Sequence, residues 1–189
     1  TGYSGTYDAA EHDAVTSVMP SIEGAAITYS SAENGPYDDK MPQVKNAGST
    51  TIWVKASLAN YDDVKTSVTA VVTKAQLVVT ADNKSRMFGV NNPTLTYKID
   101  GLKGTDTFTG VDITTTAVKT SPVGSYDITV SGATSITNYT VKYNKGTLTV
   151  TNSDALTLTA TGYSGIYDAA DHDAVTSVMP SIEGAAITY

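Results

Sequence analysis

The residue best suited to acid–base or metal chemistry is His12, set in the string Tyr7-Asp8-Ala9-Ala10-Glu11-His12-Asp13. An imidazole among carboxylates can act as a general base or a metal ligand. Asp8, Glu11 and Asp13 add hard oxygen donors, the chemistry that holds Ca2+. The string returns as Asp168, Asp171, His172 and Asp173. Against this, His12 is the only histidine in residues 1–160 and the chain has no cysteine. A thiol nucleophile and a thiolate metal site are therefore excluded, and no Ser/His/Asp arrangement can be traced. The carboxylate spacing also differs from the twelve-residue helix–loop–helix calcium loop. Solvated turn carboxylates are the plain alternative, and the chain is expected not to be an enzyme.

A second candidate is aromatic. Trp53 is the only tryptophan, against 12 tyrosines. In the alternating run Thr51-Ile52-Trp53-Val54-Lys55-Ala56, Ile52 and Val54 share one face and Trp53 points to the other. With Tyr37 and Tyr61 it could stack on a sugar ring of a host glycan, or form a contact with a matrix protein. The alternative is a minor core beneath the 30–47 segment. Asn83-Lys84-Ser85 and Asn138-Tyr139-Thr140 fit the N-glycosylation pattern, although Asn138 also reads as part of a structural turn.

The elements that must position these residues are strands. Thr and Val crowd segments such as 105–116 and 147–151, and good helical spacing is scarce. The formal charge of −7 and the lack of a basic stripe argue against nucleic acid as a partner. No apolar run is long enough to insert in a bilayer. With 40% hydrophobic residues the chain has material for packed cores.

Repetition is the dominant signal. Residues 1–29 and 161–189 differ only at Thr6/Ile166 and Glu11/Asp171, an offset of 161 − 1 = 160 residues. Inside that unit a fainter template occurs twice. Gly48-Ser49, a strand, Asn60-Tyr61 and a second strand match Gly124-Ser125, a strand, Asn138-Tyr139 and a second strand. Leu77-Val78-Val79-Thr80-Ala81 precedes Phe88 as Leu156-Thr157-Leu158-Thr159-Ala160 precedes Tyr167, both at +11. The expected organisation is a first β domain at 1–74, a second at 75–151, and a linker plus the opening of a further copy at 152–189. The joints Thr73-Lys74-Ala75 and Asn152-Ser153-Asp154 are short and lack Gly and Pro, which favours a stiff, elongated arrangement.

Strands are expected at 3–7, 12–18, 25–29, 50–57 and 64–73, then at 76–81, 94–99, 107–115, 125–131, 138–143 and 146–151. Asn144-Lys145-Gly146 reads as a hairpin turn between the last two. The fold class is mainly β: tandem small antiparallel domains, as immunoglobulin-like sandwiches or, in the alternative, β-grasp-like with a short helix near 104–110.

Tyr7-Asp8, His12, Gly48–Lys55 and Asn60-Tyr61 resemble the YDG-type repeats of bacterial surface proteins. The stretch from Leu77 through Asn83–Gly89, Asn92–Tyr97, Ser121–Tyr126 and Asn138-Tyr139 to Gly146–Val150 resembles the MBG module of large adhesins, with Phe88 where that module has Tyr. The resemblance implies a stalk or spacer repeat of a long extracellular protein at a bacterial cell surface, with adhesion to host glycan or protein as the alternative. It implies no catalytic residues.

By the internal template a domain opens with Leu-x-x-Thr-Ala, a strand that does not precede Thr1 here. Its counterpart lies at 156–160. Leu156, Leu158, Tyr163, Ile166, Tyr167 and Val175 are therefore expected to join neighbouring repeats or other copies of the chain head to tail, by strand addition or by exchange of residues 1–29.

Overall fold

The computed structural model describes residues 1–153, 157–180 and 186. The strands are β1 (Ser4–Thr6), β2 (His12–Asp13), β3 (Ala26–Ser30), β4 (Gln43–Val44), β5 (Gly48–Ser57), β6 (Val64–Thr73), β7 (Ala75–Ala81), β8 (Lys84–Met87), β9 (Tyr97–Asp100), β10 (Asp112–Thr115), β11 (Gly124–Ser131), β12 (Tyr139–Asn144), β13 (Gly146–Thr151), β14 (Leu158–Gly162) and β15 (Val175–Pro180). No helix occurs among the described residues. The expected helix near 104–110 is replaced by turn and irregular backbone. Gly104 and Gly110 adopt φ of 53° and 77°, the left-handed region that stops a right-handed helix.

Every strand pairing within the first 153 residues stays inside 1–74 or inside 75–151. The two halves share one topology. The first has a four-stranded sheet in the order β1-β6-β5-β3, and the second has β8-β13-β11-β10. In each, a short strand runs parallel to the last long strand, which is antiparallel to the Gly-Ser strand, which is antiparallel to an edge strand. This match explains why Gly-Ser and Asn-Tyr recur in the same order.

The sheets are mixed rather than purely antiparallel, since β1–β6, β7–β12 and β8–β13 are parallel. In the second half a three-stranded sheet, β12-β7-β9, faces the four-stranded one. Period-two alternation buries Leu77, Val79 and Ala81 from β7 against Ile128 and Val130 of β11 and Leu148 and Val150 of β13. This is a sandwich. In the first half the facing layer is smaller. The two-stranded β2–β4 pair, with Ala14, Val15 and Val44, covers Ile52, Val54, Ala70 and Val72.

The expected hairpin at Asn144-Lys145-Gly146 is corrected. β12 pairs with β7, and β13 pairs with β11 and β8, so the single residue Lys145 carries the chain from one sheet to the other. Gly146 permits the switch by close backbone approach. A Cβ there would sit 2.7 Å from the Ala81 carbonyl oxygen and 2.9 Å from that of Asp82. Other strands begin later or end earlier than expected. β9 starts at Tyr97 and β10 at Asp112, and beyond Asp13 the 12–18 stretch keeps a single bridge, Gly2 to Val15, with Ala14 and Thr16 bonding to the carbonyls of Pro42 and Thr1.

Arg86 on β8 is buried and no carboxylate pairs with it among the described residues. Its guanidinium donates to Asn92 Oδ1 at 2.7 Å, to the Met87 carbonyl at 3.0 Å and to the Val118 carbonyl. Asn92 in turn donates to the Ala117 carbonyl at 2.6 Å. One cation therefore ties two loops, at Asn92 and at Ala117–Val118, to the end of β8 through its rigid fork of donors. Arg86→Ala strands these acceptors in a buried site and is expected to cost about 3 kcal/mol. In urea unfolding of the whole chain, the circular-dichroism transition of the second half should move, while Trp53 fluorescence, which reports the first half, moves less.

Candidate functional site at the joint between the two domains

The motif around Tyr7 builds itself from local residues. The Asp8 carboxylate accepts the Ala10 amide at 2.9 Å, an Asx turn that puts Ala9 in the left-handed region at φ 70°. His12 Nε2 lies 3.0 Å from Asp8 Oδ1, and the His12 ring stacks on Tyr3 with centroids 4.4 Å apart. Gly5 lies beneath the Tyr3 hydroxyl, where a Cβ would come within 2.3 Å. The copy at 161–189 repeats all of this: Ala170 to Asp168 at 3.0 Å, His172 to Asp168 at 2.9 Å, Tyr163 on His172 at 4.0 Å, and Ala169 at φ 60°. In that copy Ile166 and Tyr167 are 92% and 90% exposed, so the turn forms without a packed neighbour.

What the motif positions is Tyr7. Its hydroxyl donates to Asp106 Oδ2 at 2.8 Å, and the Tyr139 hydroxyl donates to the same oxygen at 2.6 Å. Tyr7 belongs to the first half; Asp106 and Tyr139 belong to the second. The two rings meet edge to face, 5.4 Å apart, and both are 3% exposed. The Lys103 amide donates to the Tyr139 hydroxyl at 2.9 Å, so that oxygen both donates and accepts. Beside it, Asn138 Oδ1 accepts the Ala47 amide at 2.9 Å and Asn138 Nδ2 donates to Asn46 Oδ1 at 3.1 Å. Both residues of the second Asn-Tyr pair thus reach across the joint. On the connecting segment, Lys74 Nζ donates to Ser135 Oγ and to the Ile136 carbonyl, at 2.7 and 2.6 Å.

The other sequence candidates are dispersed. Asp8 is engaged by His12 and Ala10, and Asp13 accepts from Gln43. Among the described residues no three His, Cys, Asp or Glu side chains gather as a metal-ligand group, so Asp8, Glu11 and Asp13 do not assemble one. Trp53 is half buried, and on its face of β5 Lys55 lies 5.3 Å from the centre of the Tyr37 ring. Tyr61, 59% exposed, lines a groove on the opposite, Val54–Ala56 side. The three aromatics therefore form no common platform. Leu158, Tyr163, Ile166, Tyr167 and Val175 are exposed, and Leu156 lies outside the described residues.

Sequence reading reached Tyr7, Asn138 and Tyr139 through motifs but missed Asp106. A single Asp in the Thr-rich 105–116 segment has no local signature, since its partners lie 99 and 33 residues away.

The joint has a pH signature. Burial, and then the bond to Asp106, push the Tyr139 hydroxyl up to about 12. The bond to Asp106, and then burial, raise Tyr7. The Tyr139 and Tyr7 hydroxyls hold Asp106 below the ordinary carboxylate range. The raised tyrosines contribute stability that is complete below their ordinary value of 10.0 and is lost as pH climbs toward about 12. The lowered Asp106 contributes stability present above its ordinary 3.8 and lost as pH falls through its folded value. Spectrophotometric titration of tyrosinate should show a component near 12. Tyr139→Phe should remove that component; its persistence would show that Tyr139 is not the buried donor.

Neither the curated proteins nor the solved structures contain a match to this chain. Residues 77–149, from the opening strand of the second domain to its last, match the MBG domain family of YGX type, so that the segment presenting Asp106, Asn138 and Tyr139 to the first domain is similar to that module.

Proposed function

We propose that the chain is a non-catalytic spacer repeat of a large extracellular bacterial surface protein, in which small β domains joined in series hold a distal part away from the cell. The observation that carries this reading is the joint. A connection of one residue, Lys74 between β6 and β7, two tyrosines on one carboxylate and an Asn-mediated clamp resist hinge motion between the domains. The near-identical copy at 161–189 supports serial repetition.

The far end of the second domain supports a further joint. Phe88 occupies the template position of Tyr7 and is exposed, as are Met87, Val90, Val118 and Val123 near the same end. Phe88 cannot donate to a carboxylate, so this end forms an apolar contact. Its partner is the Asn60-Tyr61 end of the next unit's first domain, where Tyr61 holds the template position of Tyr139.

Small-angle scattering of a chain of three units, with and without a chelator, tests the reading. An extended rod unchanged by EDTA is expected. Combining Tyr7→Phe with Asp106→Asn should broaden the distribution of shapes with each domain still folded, and Phe88→Asp should loosen only the contact between units. A compact or freely jointed wild type would refute the spacer. Saturable binding to a glycan or matrix protein, lost in Trp53→Ala, would instead establish the adhesion reading, with Trp53 as its contact.

A further inference from the structure

Asn34-Gly35 is the only Asn-Gly pair in the sequence. It lies in the loop between β3 and β4, and Asn34 is exposed. Residues 32–35 form a β-turn, in which the Gly35 amide donates to the Ala32 carbonyl at 3.2 Å. Ser30 Oγ anchors the start of the turn by accepting the Ala32 amide at 3.2 Å.

Packing dictates the glycine. A Cβ on Gly35 would come 2.8 Å from Ser30 Oγ and 3.3 Å from the Ala32 Cβ. The fold therefore places after Asn34 the one residue with no side chain to shield its backbone nitrogen.

Lys65 completes the arrangement. It stands directly across from Lys55 in the β5–β6 ladder, so both rise from one face of the sheet. Lys65 Nζ donates to Asn34 Oδ1 and to the Glu33 carbonyl, each at 3.2 Å. The same Nζ lies 5.6 Å from the centre of the Tyr37 ring, and the Tyr37 hydroxyl donates to the Glu33 carbonyl at 2.8 Å. Three contacts thus hold a positive charge at the oxygen of the Asn34 amide.

We propose that Asn34 is a self-modification site, at which the backbone nitrogen of Gly35 attacks the Asn34 side chain and Lys65 stabilises the charge that develops. The turn bond from Gly35 to Ala32 opens first; it is long and sits in an exposed loop. The Gly35 nitrogen then gives its proton to a solvent base and bonds to Asn34 Cγ, a neighbour held in place by the chain itself. Negative charge gathers on Oδ1, where Lys65 already donates. Nδ2 takes up a proton and leaves as ammonia, closing a cyclic imide. Water opens the imide at either carbonyl, which gives aspartate or isoaspartate.

The two products act differently. Aspartate turns the Lys65 hydrogen bond into an ion pair. Isoaspartate inserts a methylene into the main chain of the turn. The loop is closed by Tyr29 and Asp38, each donating its amide to the other's carbonyl, at 2.7 and 3.1 Å. The added atom strains that closure and loosens Tyr37 from Lys55 and Lys65. The Trp53 face of the first domain therefore changes irreversibly with age. This inference does not rest on the spacer reading, since it needs only the folded first domain.

Peptide mapping by mass spectrometry tests it, on the whole chain aged at neutral pH in heavy-oxygen water. The peptide bearing Asn34 should exchange amide for acid, with uptake of heavy oxygen, before any other asparagine reacts. It should resolve into aspartate and isoaspartate forms. Lys65→Met keeps the stem and removes the charge; it should slow the reaction about three- to tenfold, less than a buried donor would because the ammonium is exposed. Lys65→Arg restores a cation and should recover most of the rate. In urea all three chains should react alike, which separates a charge placed by the fold from an effect of sequence. Asn34 intact while another asparagine has converted overturns the proposal, as do equal rates for the folded wild type and Lys65→Met. Circular dichroism verifies that each variant is folded.

Discussion

One carboxylate oxygen organises the contact between the halves of this molecule. Asp106 Oδ2 receives hydroxyl protons from Tyr7 and Tyr139, one from each side of the joint. A carboxylate partly withdrawn from water must be compensated by donors, and here the donors are neutral phenols rather than cations. That choice has consequences. No guanidinium or ammonium has to be desolvated along with the acid, and the rings that carry the hydroxyls supply apolar area and an edge-to-face contact as well. Lys45 adds a weaker attraction to Asp106 from the first-domain side. Apolar packing alone could slide, whereas two hydroxyls converging on one oxygen admit a single arrangement of the halves.

The joint depends on a turn assembled before any partner arrives. The tyrosine–histidine stack and the Asp–His bond recur in both copies of the motif with closely similar distances, although Tyr7 is buried and Tyr167 exposed. His12 thus acts as a strut: its ring holds Asp8, and Asp8 holds the turn that aims Tyr7. The bond to His12, followed by that to the Ala10 amide, is also what lowers the pKa of Asp8.

What was legible in the sequence was whatever is written at short range. Alternation marked β5, β6, β7, β11 and β13, and the ordered Gly-Ser and Asn-Tyr pairs announced two domains on one plan. Long-range choices were not legible. Asn144-Lys145-Gly146 has hairpin composition, yet β7 competes for β12 and wins, and the chain crosses between sheets. The turn offers only local bonds, while β7 offers a six-residue parallel ladder with Leu77 and Val79 in the core. The 104–110 stretch has no periodic pattern of its own, and its conformation is imposed by the joint it lines. Asp106 was invisible for the same reason, since its importance comes from two hydroxyls distant in sequence.

The two ends of the second domain differ in kind, and the difference follows from one hydroxyl group. Tyr7 and Phe88 hold equivalent places on the shared template, but only Tyr7 can donate to an acid. A polar joint therefore lies on one side of the MBG-type module and an apolar end on the other. If both ends used the same contact, the two domain types could stack in either order, because their sheets share a topology. With a half-buried carboxylate on one side, an apolar end placed against Asp106 would leave that charge without its two hydroxyl donors, a cost that opposes the apolar gain. In the proposed serial repeat, alternation is then favoured by the cost of the wrong pairing as well as by attraction in the right one, and Phe88, at the template position of Tyr7, leaves that end without a hydroxyl donor.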